Sequence, residues 1–280
     1  MNNQLLSLYG LKWNPFSPEL PTEALLTSAK VESFCWRIEH SLVREGGFAL
    51  ISGDPGTGKS VVLRLLVERL ARVRELTVGA LTHPSSKLAD FYREMGELFG
   101  VALQPHNRWA GFKTLRERWL AHLENTLLRP VLLIDEAQEL QPSVLSELRL
   151  LAATHFDSRT LLSVVLAGDH RLSEKLRQDE FLPLGSRIRL RLAMDYATGE
   201  ELNTCLTHLL ESAGNATLMS EALKHTLCEH AAGNYRTLTT MAANLLAVAA
   251  ERNLTQLDEK LYFEVFAPEN RKPRRAGARP

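Results

Sequence analysis

Eight residues near the start of the chain, 53–60, read Gly-Asp-Pro-Gly-Thr-Gly-Lys-Ser and constrain the fold more than any other segment. An apolar run at 48–52 before them predicts a buried strand, and an apolar-periodic stretch at 61–71 after them predicts a helix. A glycine-rich turn at this place lets backbone N–H groups surround a phosphate that faces the helix N-terminus. The spacing is that of a P-loop, which predicts binding of a nucleoside triphosphate, with an incidental glycine-rich turn as the alternative.

Within this loop, Lys59 is expected to neutralise the β- and γ-phosphates, and Ser60 is expected to give its hydroxyl to Mg²⁺. The predicted cofactors are therefore ATP and Mg²⁺. The residues expected to bind the nucleotide are Gly53, Asp54, Pro55, Gly56, Thr57, Gly58, Lys59, Ser60 and Val61.

A second apolar run, at 131–134, ends in two carboxylates, Asp135 and Glu136. Open α/β sheets bind their ligands at the carboxyl ends of the strands, where these acids would emerge. We expect Asp135 to hold Mg²⁺ through water and Glu136 to orient and polarise the attacking water. This Walker B pattern predicts ATP hydrolysis, whereas a strand that ends in a solvated acidic turn is the alternative.

The order of predicted elements indicates the fold class. Strands predicted at 48–52, 76–81, 130–134, 161–167 and 188–192 alternate with helices, which indicates an α/β fold with a parallel sheet sandwiched by helices. Near residue 195 the pattern changes to helices alone, predicted at 198–212, 220–231, 235–252 and 256–263. We therefore expect a P-loop NTPase domain and a small helical lid domain. The predicted parts are an N-terminal extension with the first helix (1–47), the α/β nucleotide-binding domain (48–195), the lid (196–267) and a basic disordered tail (268–280).

Composition excludes several classes of protein. Lysine plus arginine total 33, as do the acidic residues, so any nucleic-acid contact must come from local patches. We find no apolar run long enough for a membrane span and no signal-peptide pattern, so we expect a cytoplasmic protein without a membrane partner. Cys35, Cys205 and Cys228 are widely spaced and predict buried thiols, not a disulfide framework or a zinc site.

The P-loop, the segment Ile-Asp-Glu-Ala-Gln-Glu-Leu at 134–140 and the downstream helices together resemble the AAA+ ATPases. The resemblance is strongest to the branch of the secretion ATPase ExeA and the transposition-associated ATPases TniB and TnsC, and it covers about residues 5–265. Segment 8–16 is similar to the N-terminal box of that branch, which implies that Pro15 and Phe16 lie near the adenine. A plain core anchor is the alternative for these two residues.

The end of the predicted fourth strand, at 168–169, is similar to the sensor-1 position of the family. The family usually has Gly-Gln there, whereas this chain has Gly-Asp. An acid near the phosphates would be repulsive unless it is paired. We therefore expect Asp169 to cap a helix.

Two arginines lie at positions that carry functional roles in the family. Segment 184–191 resembles the one with the arginine finger, which implies that Arg187 reaches the γ-phosphate bound by a neighbouring subunit. An arginine-rich strand edge is the alternative. Segment 233–236 is similar to the sensor-2 box, with Tyr235 where proline is usual, which implies that Arg236 reaches back to the phosphates.

The resemblance implies an ATPase that assembles with itself, as a hexameric ring or a helical filament, on double-stranded DNA. It implies a transposase as a further partner, with a target-selector protein as an optional one. The small size and the end of the chain soon after the lid favour this role, since secretion-type relatives usually continue into a membrane span.

The residues expected to contact DNA are Lys87, Lys113 and Arg116, together with the basic tail. Segment 106–119 mixes cations with aromatic rings, a mixture that can grip phosphates and stack on bases. In the alternative, its rings, including Trp109, Phe112 and Trp119, pack in the core at helical spacing.

A competing hypothesis is an ExeA-like, ATP-dependent switch of a secretion or other protein assembly that does not bind DNA. The balanced charge slightly favours it. A small-molecule kinase is disfavoured, because such enzymes rarely need the carboxylate pair and separate finger and sensor arginines.

Overall fold

The structure is a computed structural model that describes residues 2–103, 107–155 and 158–266. These residues divide into two compact units. The sheet unit comprises 21–197 and 234–236, and the helical unit comprises 2–20, 198–233 and 237–266. The basic tail predicted at 268–280 lies outside the described residues.

In chain order, the α-helices of the described part are α1 (Asn2–Tyr9), α2 (Ala29–Arg37), α3 (Val43–Glu45), α4 (Lys59–Ala71), α5 (Leu88–Leu98), α6 (Arg108–Thr126), α7 (Pro142–Ala152), α8 (His170–Lys175), α9 (Leu182–Gly185), α10 (Gly199–Ala213), α11 (Glu221–Ala231), α12 (Tyr235–Glu251) and α13 (Glu259–Phe266). The strands are β1 (Gly47–Gly53), β2 (Val78–Leu81), β3 (Val131–Ile134), β4 (Ala153–Thr154), β5 (Arg159–Thr160), β6 (Ser163–Gly168) and β7 (Ile188–Met194). None of the helices in these ranges is both long and apolar enough to cross a bilayer.

Five strands form one parallel sheet in the order β2-β3-β6-β1-β7. Ile134 of β3 lies beside Leu166 of β6, and Ser52 of β1 lies beside Gly168 of β6. The carboxyl ends of the three central strands therefore meet at one edge. The sequence did not predict β4 and β5, which pair antiparallel as a separate two-stranded sheet.

Both faces of the sheet are buried, as alternate residues of β1 illustrate. Phe48 and Leu50 belong to one hydrophobic core, which α5, α6 and α7 complete. Ala49 and Ile51 belong to a second core, which α2 and α4 complete. Apolar residues on both sides of every central strand are typical of a parallel sheet covered by helices. The predicted fold class is confirmed.

The helical unit contains the four helices predicted after residue 198, with ends shifted by a few residues. Thr198 caps α10 in a capping box, in which its hydroxyl accepts from the N–H of Glu201 and its own N–H donates to that carboxylate. The N-terminal segment belongs to this unit too, since the N–H of Lys12 donates to the carbonyl of Ala213 at 2.8 Å.

The cysteines are free thiols. Cys35 and Cys228 are buried, as expected, whereas Cys205 is half-buried. Burial raises the pKa of the Cys35 thiol to about 11, so this thiol is a packing group and not a nucleophile.

Helix α6 corrects one expectation about the aromatic residues of segment 106–119. Its buried stripe runs through Gly111, Leu115, Trp119 and Leu123, at intervals of one helical turn. Trp109 precedes this stripe by two residues and therefore points away from it, with 73% of its surface exposed. The interpretation that all the rings pack in the core is wrong for Trp109 and right for Trp119.

A buried carboxylate anchors the start of α6 and gives a test of the fold. Arg108 and the hydroxyl of Tyr92 both donate to Glu147, whose side chain is 1% exposed. Arg108→Ala leaves this charge without its cation and should lower the free energy of unfolding by about 2 kcal/mol. The matched control Lys113→Ala removes an exposed pair with Glu117 and an exposed contact with the Trp109 ring, and it should change the free energy of unfolding by less than about 0.5 kcal/mol. Urea unfolding of both variants measures the difference, and equal losses would contradict the assignment.

Candidate nucleotide site

The loop between β1 and α4 is closed by its own hydrogen bonds. The hydroxyl of Thr57 donates to the carbonyl oxygen of Asp54 at 2.8 Å, and the ammonium of Lys59 donates to the same oxygen at 3.1 Å. Lys59 is only 5% exposed, so its charge is held at the centre of the loop. Gly58 precedes α4 with a φ of +102°, which a side chain rarely allows. A buried cation thus lies in the first turn of a helix, and the N-terminus of a helix favours an anion.

A hydrogen bond joins the first turn of α4 to the end of β3. The hydroxyl of Ser60 donates to Oδ2 of Asp135 at 2.7 Å, while Oδ1 of Asp135 accepts from the N–H of Glu136 at 2.9 Å. Hydroxyl and carboxylate oxygens are ligands that Mg²⁺ prefers, and Mg²⁺ usually takes one or two protein ligands beside phosphate oxygens. Ser60 and Asp135 therefore fit the metal that the sequence predicted.

Glu136 is hydrogen-bonded to Gln138, a residue that the sequence did not predict to be part of the site. Its backbone is left-handed, with a φ of +49°, and its carboxylate accepts from Nε2 of Gln138. Oε1 of Gln138 in turn accepts from the N–H of Asp169, at the end of β6, at 3.2 Å. Gln138 is buried, and the family segment at 134–140 contains it, but only the strand order brings it to Asp169.

Asp169 caps α8, as expected. Its carboxylate accepts from the N–H of Arg171 at 2.9 Å and forms an ion pair of 2.8 Å with the guanidinium of the same residue. Burial favours a higher pKa for Asp169, but the hydrogen bonds from Arg171 outweigh it and keep the pKa below its usual value. The acid at the sensor-1 position is therefore neutralised by Arg171.

The segment before α12 contacts the P-loop directly. Nδ2 of Asn234 donates to the carbonyl of Pro55 at 2.9 Å, and the N–H of Tyr235 donates to the carbonyl of Gly56 at 3.1 Å. A Cβ on Gly56 would lie 2.1 Å from Oδ1 of Asn234, so a glycine is required there. Arg236 follows in the first turn of α12. The sequence predicted a role for Arg236 in this segment but did not predict the hydrogen bonds from Asn234 and Tyr235.

Arg187, Pro15 and Phe16 are the remaining residues that the sequence predicted for the nucleotide site. Arg187 follows α9 and is half-buried, and its guanidinium donates to the carbonyl of Pro183. Pro15 and Phe16 are buried residues of the helical unit, and the N–H of Phe16 donates to the side chain of Asn14. Their roles toward the nucleotide stay predictions.

The three candidate DNA contacts differ in exposure. Lys87 is exposed at the N-cap of α5. Lys113 is also exposed, and its ammonium lies 5.6 Å from the centre of the Trp109 ring. Arg116 is half-buried and donates to the carbonyl of Ala153 at 2.9 Å, and burial lowers its pKa. Arg116 therefore supports the fold, whereas Lys113 and Trp109 form an open face, here called the α6 face.

Comparison with known proteins gives three informative matches. General secretion pathway protein A of Aeromonas hydrophila is 32% identical over 209 residues, which cover 74% of this chain and 37% of that protein. ATP-dependent target DNA activator B of Escherichia phage Mu is 28% identical over 181 residues, or 63% of this chain and 54% of that protein. The crystal structure of Cdc6p from Pyrobaculum aerophilum has a TM-score of 0.69 at 16% identity, over 87% of this chain and 67% of that one, and shows the fold alone.

The chain spans about a third to a half of the length of these two sequence relatives. Residues 43–176 match the family described as AAA domain, and this range contains both the P-loop and the Walker B pair. The sequence of the chain therefore matches the AAA+ ATPases, in the branch of ExeA, TniB and TnsC.

Proposed function

We propose that the chain is a regulator of DNA transposition, which assembles with ATP on double-stranded DNA and recruits or activates a transposase. The similarity to a target DNA activator over 63% of the chain supports this role. The exposed cation and aromatic ring of the α6 face support it further. The 2.7 Å hydrogen bond from Ser60 to Asp135 is the main support for a role that depends on ATP. It joins the loop that would hold the triphosphate to the strand end that would direct the attack.

Each residue of the site then has a chemical role. The P-loop N–H groups and Lys59 would bind the phosphates, and Ser60 and Asp135 would hold Mg²⁺, which neutralises charge on the β- and γ-phosphate oxygens. Glu136, next to Asp135, would orient the attacking water and accept its proton. Arg236 would contact the phosphates from the start of α12. Arg187 would reach the γ-phosphate bound by a neighbouring subunit and stabilise the charge that spreads over it.

Glu136→Gln tests the role of the second carboxylate. The amide cannot accept the proton of water, so kcat should fall about 100-fold or more. Asp135 and Ser60 are unchanged, so the affinity for ATP with Mg²⁺ should stay within about twofold. The matched control is Glu139→Gln, an exposed glutamate in the same segment that pairs with Arg171. Steady-state hydrolysis and equilibrium binding of a fluorescent ATP analogue give both quantities. A parental kcat for Glu136→Gln would remove Glu136 from the mechanism.

Arg187→Ala tests completion of the site by a second subunit. We expect ATP binding to persist while kcat falls about 1,000-fold, as for other arginine fingers. The control Arg191→Ala changes an exposed arginine of the following strand and should leave kcat near the parental value.

Mixing two inactive variants separates a finger in trans from a role within one subunit. Arg187→Ala keeps an intact P-loop, and Lys59→Ala keeps an intact Arg187. A mixture should recover hydrolysis, because some interfaces then join an intact loop to an intact arginine. A mixture as inactive as its two components would contradict action in trans.

The α6 face should bind DNA. Trp109 can stack on sugars or bases, and Lys113 can neutralise a phosphate, so the double variant Trp109→Ala/Lys113→Ala should weaken ATP-dependent binding to double-stranded DNA about tenfold. The dependence of the logarithm of the affinity on the logarithm of salt should become shallower by about one. Trp36→Ala removes another exposed tryptophan, stacked on His40, and serves as the control. Fluorescence anisotropy with labelled duplex at several salt concentrations measures both effects.

The second candidate function is a nucleotide-gated switch of a secretion or other protein assembly. The similarity to general secretion pathway protein A favours it, since that match has the higher identity and covers 74% of the chain. A parental protein that hydrolyses ATP and assembles, yet shows no ATP-dependent affinity for duplex DNA at low salt, would favour this switch over the transposition role.

A further inference from the structure

We propose that Gln138 is a positioning residue for hydrolysis, which holds the carboxylate of Glu136 at a fixed place relative to the end of β6. The inference rests on the proposed role of Glu136 and extends it. Gln138 itself touches neither the nucleotide loop nor the metal ligands in the contacts described above, so it would act through Glu136.

The orientation of the Gln138 amide is set by its two partners. The N–H of Asp169 can only donate, so it must face the amide oxygen, Oε1, at 3.2 Å. The amide nitrogen then faces Glu136 and donates to its carboxylate, which can only accept when ionised. A flipped amide would place two donors together on one side and two acceptors together on the other. The pair of bonds therefore has one polarity, from the β6 backbone through Gln138 to Glu136.

The surroundings leave Gln138 little freedom. Its side chain is 7% exposed, and its backbone carbonyl accepts from the ammonium of Lys175 at 2.8 Å. The amide also packs on Gly168, where a Cβ would lie 2.6 Å from Oε1. Lys175 bonds the carbonyl of Leu140 as well, at 2.9 Å, which fixes the whole turn after Glu136.

Glu136 needs such a support because it is exposed and can adopt several rotamers. A general base contributes only when it lies within hydrogen-bond reach of the water that it activates. A buried amide that is fixed at both ends limits the number of rotamers that the carboxylate adopts. The side-chain entropy is then already lost before the reaction begins. The same link would pass any shift at the end of β6 to the carboxylate.

Two substitutions separate the two bonds. Gln138→Glu has the same shape and keeps an oxygen that accepts from the N–H of Asp169. In assays at alkaline pH, where the new carboxyl is ionised, it replaces the donor facing Glu136 with a second acceptor. Gln138→Met has a similar length and loses both bonds. Glu139→Gln, in the same turn, is the control, because its side chain is exposed.

For Gln138→Glu and Gln138→Met we expect kcat to fall about tenfold or more, with KM and ATP affinity within about twofold of the parental values. Hydrogen exchange provides a readout that is independent of hydrolysis. The amide of Asp169 should exchange faster in Gln138→Met and at the parental rate in Gln138→Glu. Placed in the Glu136→Gln background, Gln138→Glu should cause no further loss of residual activity.

A parental kcat for Gln138→Glu, with Glu136→Gln slow, would overturn the positioning role while leaving Glu136 in the mechanism. An equal fractional loss from Gln138→Glu in the parental and Glu136→Gln backgrounds would overturn it too, since the effect would not pass through Glu136. A parental kcat for Glu136→Gln would instead remove the proposed role of Glu136, and the role of Gln138 with it.

Discussion

The three central strands of the sheet lie parallel, with β6 between β3 and β1, and their register brings three carboxyl ends to one edge. The P-loop follows β1, Asp135 and Glu136 follow β3, and Asp169 follows β6. Residues far apart in the chain are therefore within one or two hydrogen bonds of each other. A slip of one residue along either strand pair would move every side chain to the opposite face and separate these groups. The apolar residues on both faces, which fix the register, thus also fix the candidate site.

The charged groups at this edge of the sheet suit a bound anion. Lys59 is a buried ammonium, and a buried charge is costly unless polar groups surround it. The carbonyl of Asp54 accepts from this ammonium, which has three donor N–H groups, so phosphate oxygens can accept from the others. The carboxylate of Asp169 is paired with Arg171, so it adds little repulsion against a triphosphate. The binding free energy of a nucleotide would then come partly from the pairing of phosphate oxygens with the ammonium of Lys59, which offsets the cost of burying that charge.

Local sequence pattern was enough for the five strands of the parallel sheet, the four helices after residue 198 and the fold class, because the apolar periodicity of each element reports its own burial. Ser60 and Asp135 each belong to a short motif, so the sequence could single them out, and a hydrogen bond joins them in the structure. The link through Gln138 was missed because it joins residues 31 positions apart and depends on the pairing of β3 with β6. Trp109 was misjudged for a related reason. Helical spacing on α6 fits two overlapping stripes, one that includes Trp109 and one that includes Gly111. Tyr92 packs against Gly111, so the stripe with Gly111 faces the core.

The contact between the P-loop and the start of α12 has a mechanical consequence. Asn234 and Tyr235 bond the carbonyl oxygens of Pro55 and Gly56, the residues at the tip of the loop. If the tip moved when phosphates bind, it would either break both hydrogen bonds, which costs about 1–3 kcal/mol for each group left unsatisfied, or carry Asn234 and Tyr235 with it. The second course is the less costly, because it keeps both hydrogen bonds. Arg236 directly follows Tyr235, so a movement of the loop tip would also shift Arg236 through the backbone.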